Sequence, residues 1–200
     1  PAVRGGSAEA VRWLLDQGAD ANAASPDGRT PLHAAASLGN VCVIRALLDC
    51  GADPGAKSRV GYTPLHEAVE AGREAAVRML LEAGADPLAE TDTAPERGLF
   101  GVERGRRAAT AVEMALREGH SEIGALLAVH AARSWDEDGS AAARVLSHAA
   151  RGGKLDAVCA VLEEGRHVSG RSAPPLSAAL RMAVMKQDAE FVRFLLDAGA

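Results

Sequence analysis

The sequence predicts an all-α protein, a solenoid of stacked antiparallel helix pairs, and three observations carry that prediction. The phrase "GRTPLHAAASLGN" from Gly28 returns thirty-three residues later as "GYTPLHEAVEAGR" from Gly61. A fixed period of this length marks a repeat architecture. Next, Val43, Ile44, Leu47 and Leu48 form an apolar stripe at helical spacing that closes on Gly51, where a helix end favours a residue able to take positive φ. Finally, 43 of the 200 residues are Ala and 21 are Gly, while aromatic residues make up 3%. Helices of this composition must pack closely through small side chains, in thin layers instead of around a thick aromatic core.

Each unit reads as two short helices. Thr30 opens the first by accepting from free amides, Pro31 sits where a missing N–H costs nothing, and Thr63 and Pro64 repeat the pair. The small residues from Ala34 to Ala36 allow close approach, and Gly39 turns the chain into the second helix, as Gly72 does one unit later. From Leu32, Gly39 lies at an offset of seven, Ile44 at twelve, Leu47 at fifteen and Gly51 at nineteen. From Leu65 the same offsets reach Gly72, Val77, Leu80 and Gly84. Val112, Leu146 and Leu180 start looser copies, in which Gly124 and Gln187 replace expected residues. No such pair can bury its own apolar face, so stability must come from stacking on its neighbours.

With these residues in hand, the sequence resembles the ankyrin-repeat family. The resemblance rests on "GRTPLHAAASLGNVCVIRALLDCGADP" from Gly28, "GYTPLHEAVEAGREAAVRMLLEAGADP" from Gly61 and "EAVRWLLDQGADANA" from Glu9. It is clear over residues 3–89, weaker over 109–128, and carried mainly by spacing over 141–200. It implies helix pairs joined by projecting hairpin fingers, a concave groove lined by fingers and first helices, and protein binding as the usual work. It also implies that His33 and His66 brace their fingers through backbone groups. The expected organisation is a single domain over 1–200 with repeats at about 1–24 (partial), 25–57, 58–90, 105–137, 139–171 and 173–200 (partial), and an insertion at about 91–107. The later units depart from the pattern: Val112-Glu113-Met114-Ala115 lacks the histidine, and His148 is displaced by one position. The first unit lacks its first helix and the last stops at Gly199-Ala200, so the expectation is a piece of a longer chain.

The formal net charge of −5 disfavours binding to nucleic acid or an anionic membrane by bulk electrostatics. No apolar run is long enough for a transmembrane helix. Cys42, Cys50 and Cys159 have no short ligand spacing and read as reduced core thiols, which points to an intracellular protein, cytoplasmic in preference to nuclear. Leu65 and Val112 are separated by 47 residues, an excess of fourteen over the period, placed in "TDTAPERGLFGVERGRR" from Thr91. There Leu99, Phe100 and Val102 form either a local packing plug or an exposed contact. Arg97, Arg104, Arg106 and Arg107 surround them, partly offset by Glu96 and Glu103, and suit a carboxylate-rich peptide. Trp135 either covers a gap in the stack or forms a contact point, beside a solvated turn at Asp136, Glu137 and Asp138.

Catalytic motifs are missing from the sequence: it has no Gly-x-Ser-x-Gly, no phosphate loop and no His-Glu-x-x-His. Asp20, Asp53 and Asp86 recur after Gly-Ala, as turns do when every unit needs one. The reading is a non-enzymatic interaction module, without cofactor or metal, that recognises and positions a protein or peptide partner. Carrying the family's surface use onto matched positions selects Pro26, Asp27 and Arg29 on one finger and Arg59, Val60 and Tyr62 on the next. At helix ends it selects Ser37, Leu38, Glu70, Ala71, Arg117, Glu118, Arg151, Met185 and Lys186, to which the arginines of the insertion are added. A substrate-recruiting section of a larger enzyme or ubiquitin ligase complex is the alternative, and a plain structural spacer also stays open.

Overall fold

Thr-Pro-Leu-His folds as its local chemistry dictates. Thr30 is extended (φ −90°, ψ 168°), Pro31 takes the first helical position, and helix α2 runs Pro31–Leu38. It ends at Gly39, whose φ of 72° is left-handed. Helix α3, Val41–Asp49, begins at once because Asn40 Oδ1 accepts from the Val43 amide at 3.1 Å. The next pair repeats this as α4, Pro64–Glu70, and α5, Glu74–Glu82. Before them α1, Ala8–Asp16, stands in the second-helix place, capped by Ser7 Oγ accepting from Ala10 N at 3.2 Å. The computed structural model describes residues 7–92, 95–97, 103–105 and 109–133, with positions 184, 192, 193 and 196; at 95–97, 103–105, 132 and 133 it describes the backbone alone.

Second helices end alike. Ala19, Ala52 and Ala85 donate to the carbonyls of Leu14, Leu47 and Leu80 at 3.0, 2.9 and 2.9 Å, across Gly18, Gly51 and Gly84 in positive φ. The aspartates that follow are turn residues: Asp20, Asp53 and Asp86 each accept from the amide two positions on, at 2.8 Å. Packing makes two layers, with α2 against α4 in one and α1, α3 and α5 in sequence in the other, joined where α2 meets α3 and α4 meets α5. Leu32, Ile44, Leu47, Leu65 and Leu80 are fully buried between them; each stabilises the stack by roughly 1.5–3 kcal/mol relative to exposure. Trp13 and Leu14 hold the positions of buried Ala46 and Leu47 one repeat later, yet are 62% and 40% exposed. Among the described residues α1 has no first helix to lie against.

Cys42 and Cys50 are not core thiols, as the sequence had implied; both are exposed and free. Val43, Ile44, Ala46 and Leu47 are buried, and at 100° per residue Cys42 lies about 120° from the middle of that stripe. Cys50 is the C-cap, past the last helical residue. Cys159 lies outside the described residues.

The fingers are closed by one repeated pinch. Ser25 N donates to Arg29 O at 2.9 Å and Arg29 N to Ser25 Oγ at 3.1 Å. Ser58 and Tyr62 repeat the two bonds at 2.8 and 3.2 Å, and Thr91 and Ala109 at 3.0 and 3.1 Å. The third pinch spans eighteen residues where the others span four, so the fourteen added residues fall between Thr91 and Ala109 and the base of the finger is kept. Within them β1, Pro95–Arg97, pairs antiparallel with β2, Glu103–Gly105, and the bridge Glu90↔Thr110 shares the same midpoint as Glu96↔Arg104. This ribbon is the departure from an all-helical chain. Leu99, Phe100 and Val102 lie outside the described residues.

Neighbouring fingers are bonded to each other: Arg59 N donates to Asp27 O at 2.9 Å, and Asp92 N to Val60 O at 3.1 Å. Gly28 and Gly61 make this approach possible. Both have positive φ, and a Cβ would sit 2.9 Å from Arg59 N at the first and 2.4 Å from Asp92 N at the second.

Two compact units divide at Met114 and Ala115. The boundary falls in the middle of α6, Ala111–Glu118, and the second unit contains α7, Ser121–Arg133. There Gly124 stands in the place of the expected aliphatic residue, with Leu116 Cδ2 2.9 Å from where a Cβ would lie, and Ile123 is buried beside it. Positions 184, 192, 193 and 196 are helical; the rest of the units expected at 139–171 and 173–200, with His148, His167 and Trp135, lie outside the described residues.

Gly61→Ala is expected to destabilise the protein by about 3 kcal/mol, through positive φ and a backbone clash together. Gly51→Ala, with open space around the site, should lose only about 1 kcal/mol. Urea denaturation of the two variants checks the difference; equal losses would show that the finger contact is not under steric load.

Candidate functional site: fingers and first helices

Two histidines tie fingers to helices. His33 Nδ1 accepts from the Thr30 amide at 3.1 Å and lies 2.9 Å from Thr30 Oγ1, the reciprocal arrangement of a capping box. The ring proton therefore belongs on Nε2, which donates to the Tyr62 carbonyl of the next finger at 2.9 Å. His66 repeats the inner half, with the Thr63 amide at 3.2 Å and Oγ1 at 2.9 Å. Its Nε2 is buried without a hydrogen-bond partner. Burial pulls its pKa down to about 4, with the carbonyls of Ala109 and Ala89 opposing and Lys57 assisting; neither carbonyl meets Nε2 in hydrogen-bond geometry. Burial also lowers His33, against the Tyr62 carbonyl. Both rings are neutral fold elements.

The outward face carries different chemistry. An open groove of about 730 Å³ runs between the first finger and α2, lined by Ala23, Ala24, Ser25, Asp27 and Arg29 on one side and Pro31, Ala34, Ser37 and Leu38 on the other. Pro31, Ala34 and Ser37–Leu38 recur at helical spacing, opposite the buried Leu32, His33, Ala35 and Ala36. The Ser25 hydroxyl hydrogen-bonds the Asp27 carboxylate, and this bond first of all holds Asp27 below the usual carboxylate range. Arg29 reaches across the repeat to Glu67 on α4 at 2.8 Å. Burial nevertheless raises the Glu67 pKa, with Arg29 opposing and Glu70 and Asp27 adding repulsion.

The groove thus joins Arg29, Ser37 and Leu38 from the expected surface. Arg59 and Val60 are exposed on the second finger, and Glu70 is exposed at the end of α4. Tyr62 is half-buried, its ring 5.6 Å from that of His66, so it supports the finger base as well as presenting an edge. Arg117 is exposed and paired with Glu118 at 3.2 Å in the second unit. Arg104 stands on β2 opposite Glu96. Arg106, Arg107, Arg151, Met185 and Lys186 lie outside the described residues. Glu67 was not singled out from sequence; its signal is a charge where the preceding unit has Ala34.

The family description "ankyrin repeats (3 copies)" matches residues 2–91. Residues 2–91 are ankyrin repeats. The match covers the first two pinched fingers and the helices α1 to α5 and ends at Thr91, the first residue of the third pinch, and ankyrin repeats are in general protein–protein interaction modules that bind protein partners. No match to a curated protein was found. Among the described residues, no helix of the ankyrin segment or beyond it is long and apolar enough to cross a membrane.

Acid should destabilise the ankyrin segment through His66. Its folded pKa lies below the ordinary value of 6.5, so the unfolded chain takes up the proton first. The stability it contributes is complete above about pH 6.5 and is lost as the pH falls toward 4, roughly 2 kcal/mol of it between pH 7.5 and 5. Glu67, raised in the fold, acts in the opposite sense. Urea denaturation should show His66→Gln less stable at pH 7.5 but flatter in its pH profile; an unchanged slope would count against a buried neutral ring.

Arg29→Ala is expected to destabilise by about 1–3 kcal/mol, because it strands a largely buried carboxylate. Glu67→Gln should lose less, and the double variant should recover part of the Arg29→Ala loss. Strict additivity in that cycle would show the pair to be uncoupled.

Proposed function

We propose that the chain is a non-enzymatic recognition module that binds and positions a protein partner through its finger tips and the outer face of its first helices. The observation that carries this reading is the bonded row of fingers. Arg59 N to Asp27 O and Asp92 N to Val60 O fix adjacent tips to each other, while the Asp27, Arg59 and Val60 side chains stay exposed. A surface ordered before contact loses little conformational entropy on binding. Val60 and Leu38, at 45% and 49% exposure, supply apolar contact, and the neighbouring charges select and orient the partner. His33 is engaged in bracing the second finger and His66 in capping its own helix, which supports stoichiometric recognition without covalent turnover. The exposed free thiols of Cys42 and Cys50 support a reducing intracellular setting.

The test is affinity capture with the full chain beside a variant carrying Leu38→Ser, Arg59→Ala, Val60→Ser and Glu70→Ala. A partner bound by the wild type and confirmed with purified components should be lost by the variant while circular dichroism and thermal melting stay unchanged. Undiminished binding of that partner by a folded variant would refute the proposed surface.

A further inference from the structure

The second and third fingers are built alike except for one bond. In each, the residue before the helix-opening threonine closes the pinch with its carbonyl: Tyr62 O accepts from Ser58 N at 2.8 Å, and Ala109 O from Thr91 N at 3.0 Å. Tyr62 leads into Thr63 and α4; Ala109 leads into Thr110, whose hydroxyl accepts from Glu113 N at 3.2 Å at the start of α6. The Tyr62 carbonyl takes a second bond, from His33 Nε2 at 2.9 Å. By position Ala109 is the acceptor of the same bond from His66, whose inner nitrogen is held by the Thr63 amide as that of His33 is by Thr30. That bond is not made: His66 is fully buried, and its Nε2 has no partner.

A buried ring donor with nothing to donate to is unfavourable, and the loss is recovered wherever an acceptor comes into line. The acceptor is close at hand, since the carbonyls of Ala109 and Ala89 both act on the His66 ring; a change of aim separates this arrangement from the bonded one. The finger is held at two other points, the pinch between Thr91 and Ala109 and the bond from Asp92 N to Val60 O at 3.1 Å. These leave a small shift of the Ala109 peptide relative to His66 as the motion open to it. The ribbon of β1 and β2 continues the register of the pinch and of the bridge Glu90↔Thr110, so a displacement of the ribbon is passed along the paired backbone to Ala109. We propose that the third finger is a latch with two positions: the open one seen here, and a closed one in which the Ala109 carbonyl accepts from His66 Nε2 as the Tyr62 carbonyl accepts from His33, with the inserted ribbon as the arm that moves it. One net hydrogen bond corresponds to a population ratio of about two- to tenfold, small enough for a contact on the ribbon to decide which position is occupied. The latch rests on the fold alone; its consequence, that a partner touching the ribbon sets the third finger of the row, rests on the binding role assigned above.

The experiment compares the full chain with a shortened one lacking residues 94–104 and 106–108, the fourteen added residues, so that Thr91-Asp92-Thr93-Gly105-Ala109 stands where the second finger has Ser58-Arg59-Val60-Gly61-Tyr62. His33→Asn and His66→Asn keep an acceptor in the place of Nδ1 and remove the far donor. Nitrogen-15 spectra of the imidazole rings, assigned with these two variants, should show both rings protonated on Nε2. In the full chain the His66 ring proton should lie upfield of that of His33 and exchange with water about two- to tenfold faster; in the shortened chain the two should coincide. Relaxation dispersion at the Ala109 and Thr110 amides should detect the closed position in the full chain and vanish in the shortened one. In urea denaturation, His66→Asn should lower the folding constant of the shortened chain about two- to tenfold more than that of the full chain, a cycle in which the entropy of the removed loop cancels.

A His66 ring proton that already matches that of His33 in the full chain would show the bond made and overturn the latch. A nuclear Overhauser effect from that proton to a bound water would assign Nε2 to the water and overturn it too, as would a ring proton unmoved by the shortening or an equal loss from His66→Asn in both chains. If the shortened chain does not fold, the two rings of the full chain and the dispersion at Ala109 decide the matter, and flat dispersion there counts against the latch. Every readout is taken on the free chain, so the latch can fail while the finger row still loses its captured partner in the multiple surface variant.

Discussion

Helices of seven to nine residues do not persist alone in water, because nucleation is unfavourable and few hydrogen bonds follow it. Every described feature of the ankyrin segment depends on removing that weakness by stacking. The burial of Leu32, Ile44, Leu47, Leu65 and Leu80 supplies the driving force, and it is non-directional. Direction comes from polar contacts between repeats: His33 Nε2 to the Tyr62 carbonyl, and finger to finger through Asp27 and Arg59. One set of interactions makes the stack stable, and the other fixes its register. The surface proposed for binding is what remains outward once both are satisfied.

The insertion separates two of these polar devices. In the regular finger the Tyr62 carbonyl accepts from both Ser58 N and His33 Nε2. In the inserted finger the Ala109 carbonyl still accepts from Thr91 N, but His66 Nε2 is left without a partner. The pinch is local to the finger base and survives fourteen added residues; the histidine bridge requires the next finger to arrive at one particular place and does not. A buried unpaired donor costs about 1–3 kcal/mol. The length change is thus absorbed at one atom, and the helix start at Thr63 is retained.

Much of this was legible because repetition converts sequence into geometry. Thr-Pro-Leu-His at a thirty-three-residue spacing gave both capped helix starts, and Gly-Ala-Asp gave turns in which each aspartate holds an amide two residues on. The cysteines were misread because an apolar run does not reveal its own phase: Cys42 sits off the buried stripe and Cys50 past its end. The groove was harder still. Leu38 and Arg29 were visible as surface residues of the repeat, but Ala23, Ala24 and Ala34 carry no signal until the backbone brings them to one wall. Glu67 was obscured in another way, since a glutamate on a helix is ordinarily solvated, and its burial follows from α2 lying over α4.

The pair formed by Glu67 and Arg29 links fold to recognition. Ala34 in the equivalent place needs no partner, whereas Glu67 is drawn under α2 and kept charged only against the pull of burial, with Arg29 as its counter-ion. Because Arg29 belongs to the first finger, the side chain that neutralises a carboxylate of one repeat is held by the pinch of the repeat before it. The same finger presents Asp27, kept ionised by Ser25. Moving the finger would therefore disturb the buried ion pair and the rim carboxylate together. Asp27 is thus an exposed charge whose position is already set by stacking, through the bond from Arg59 N to its carbonyl.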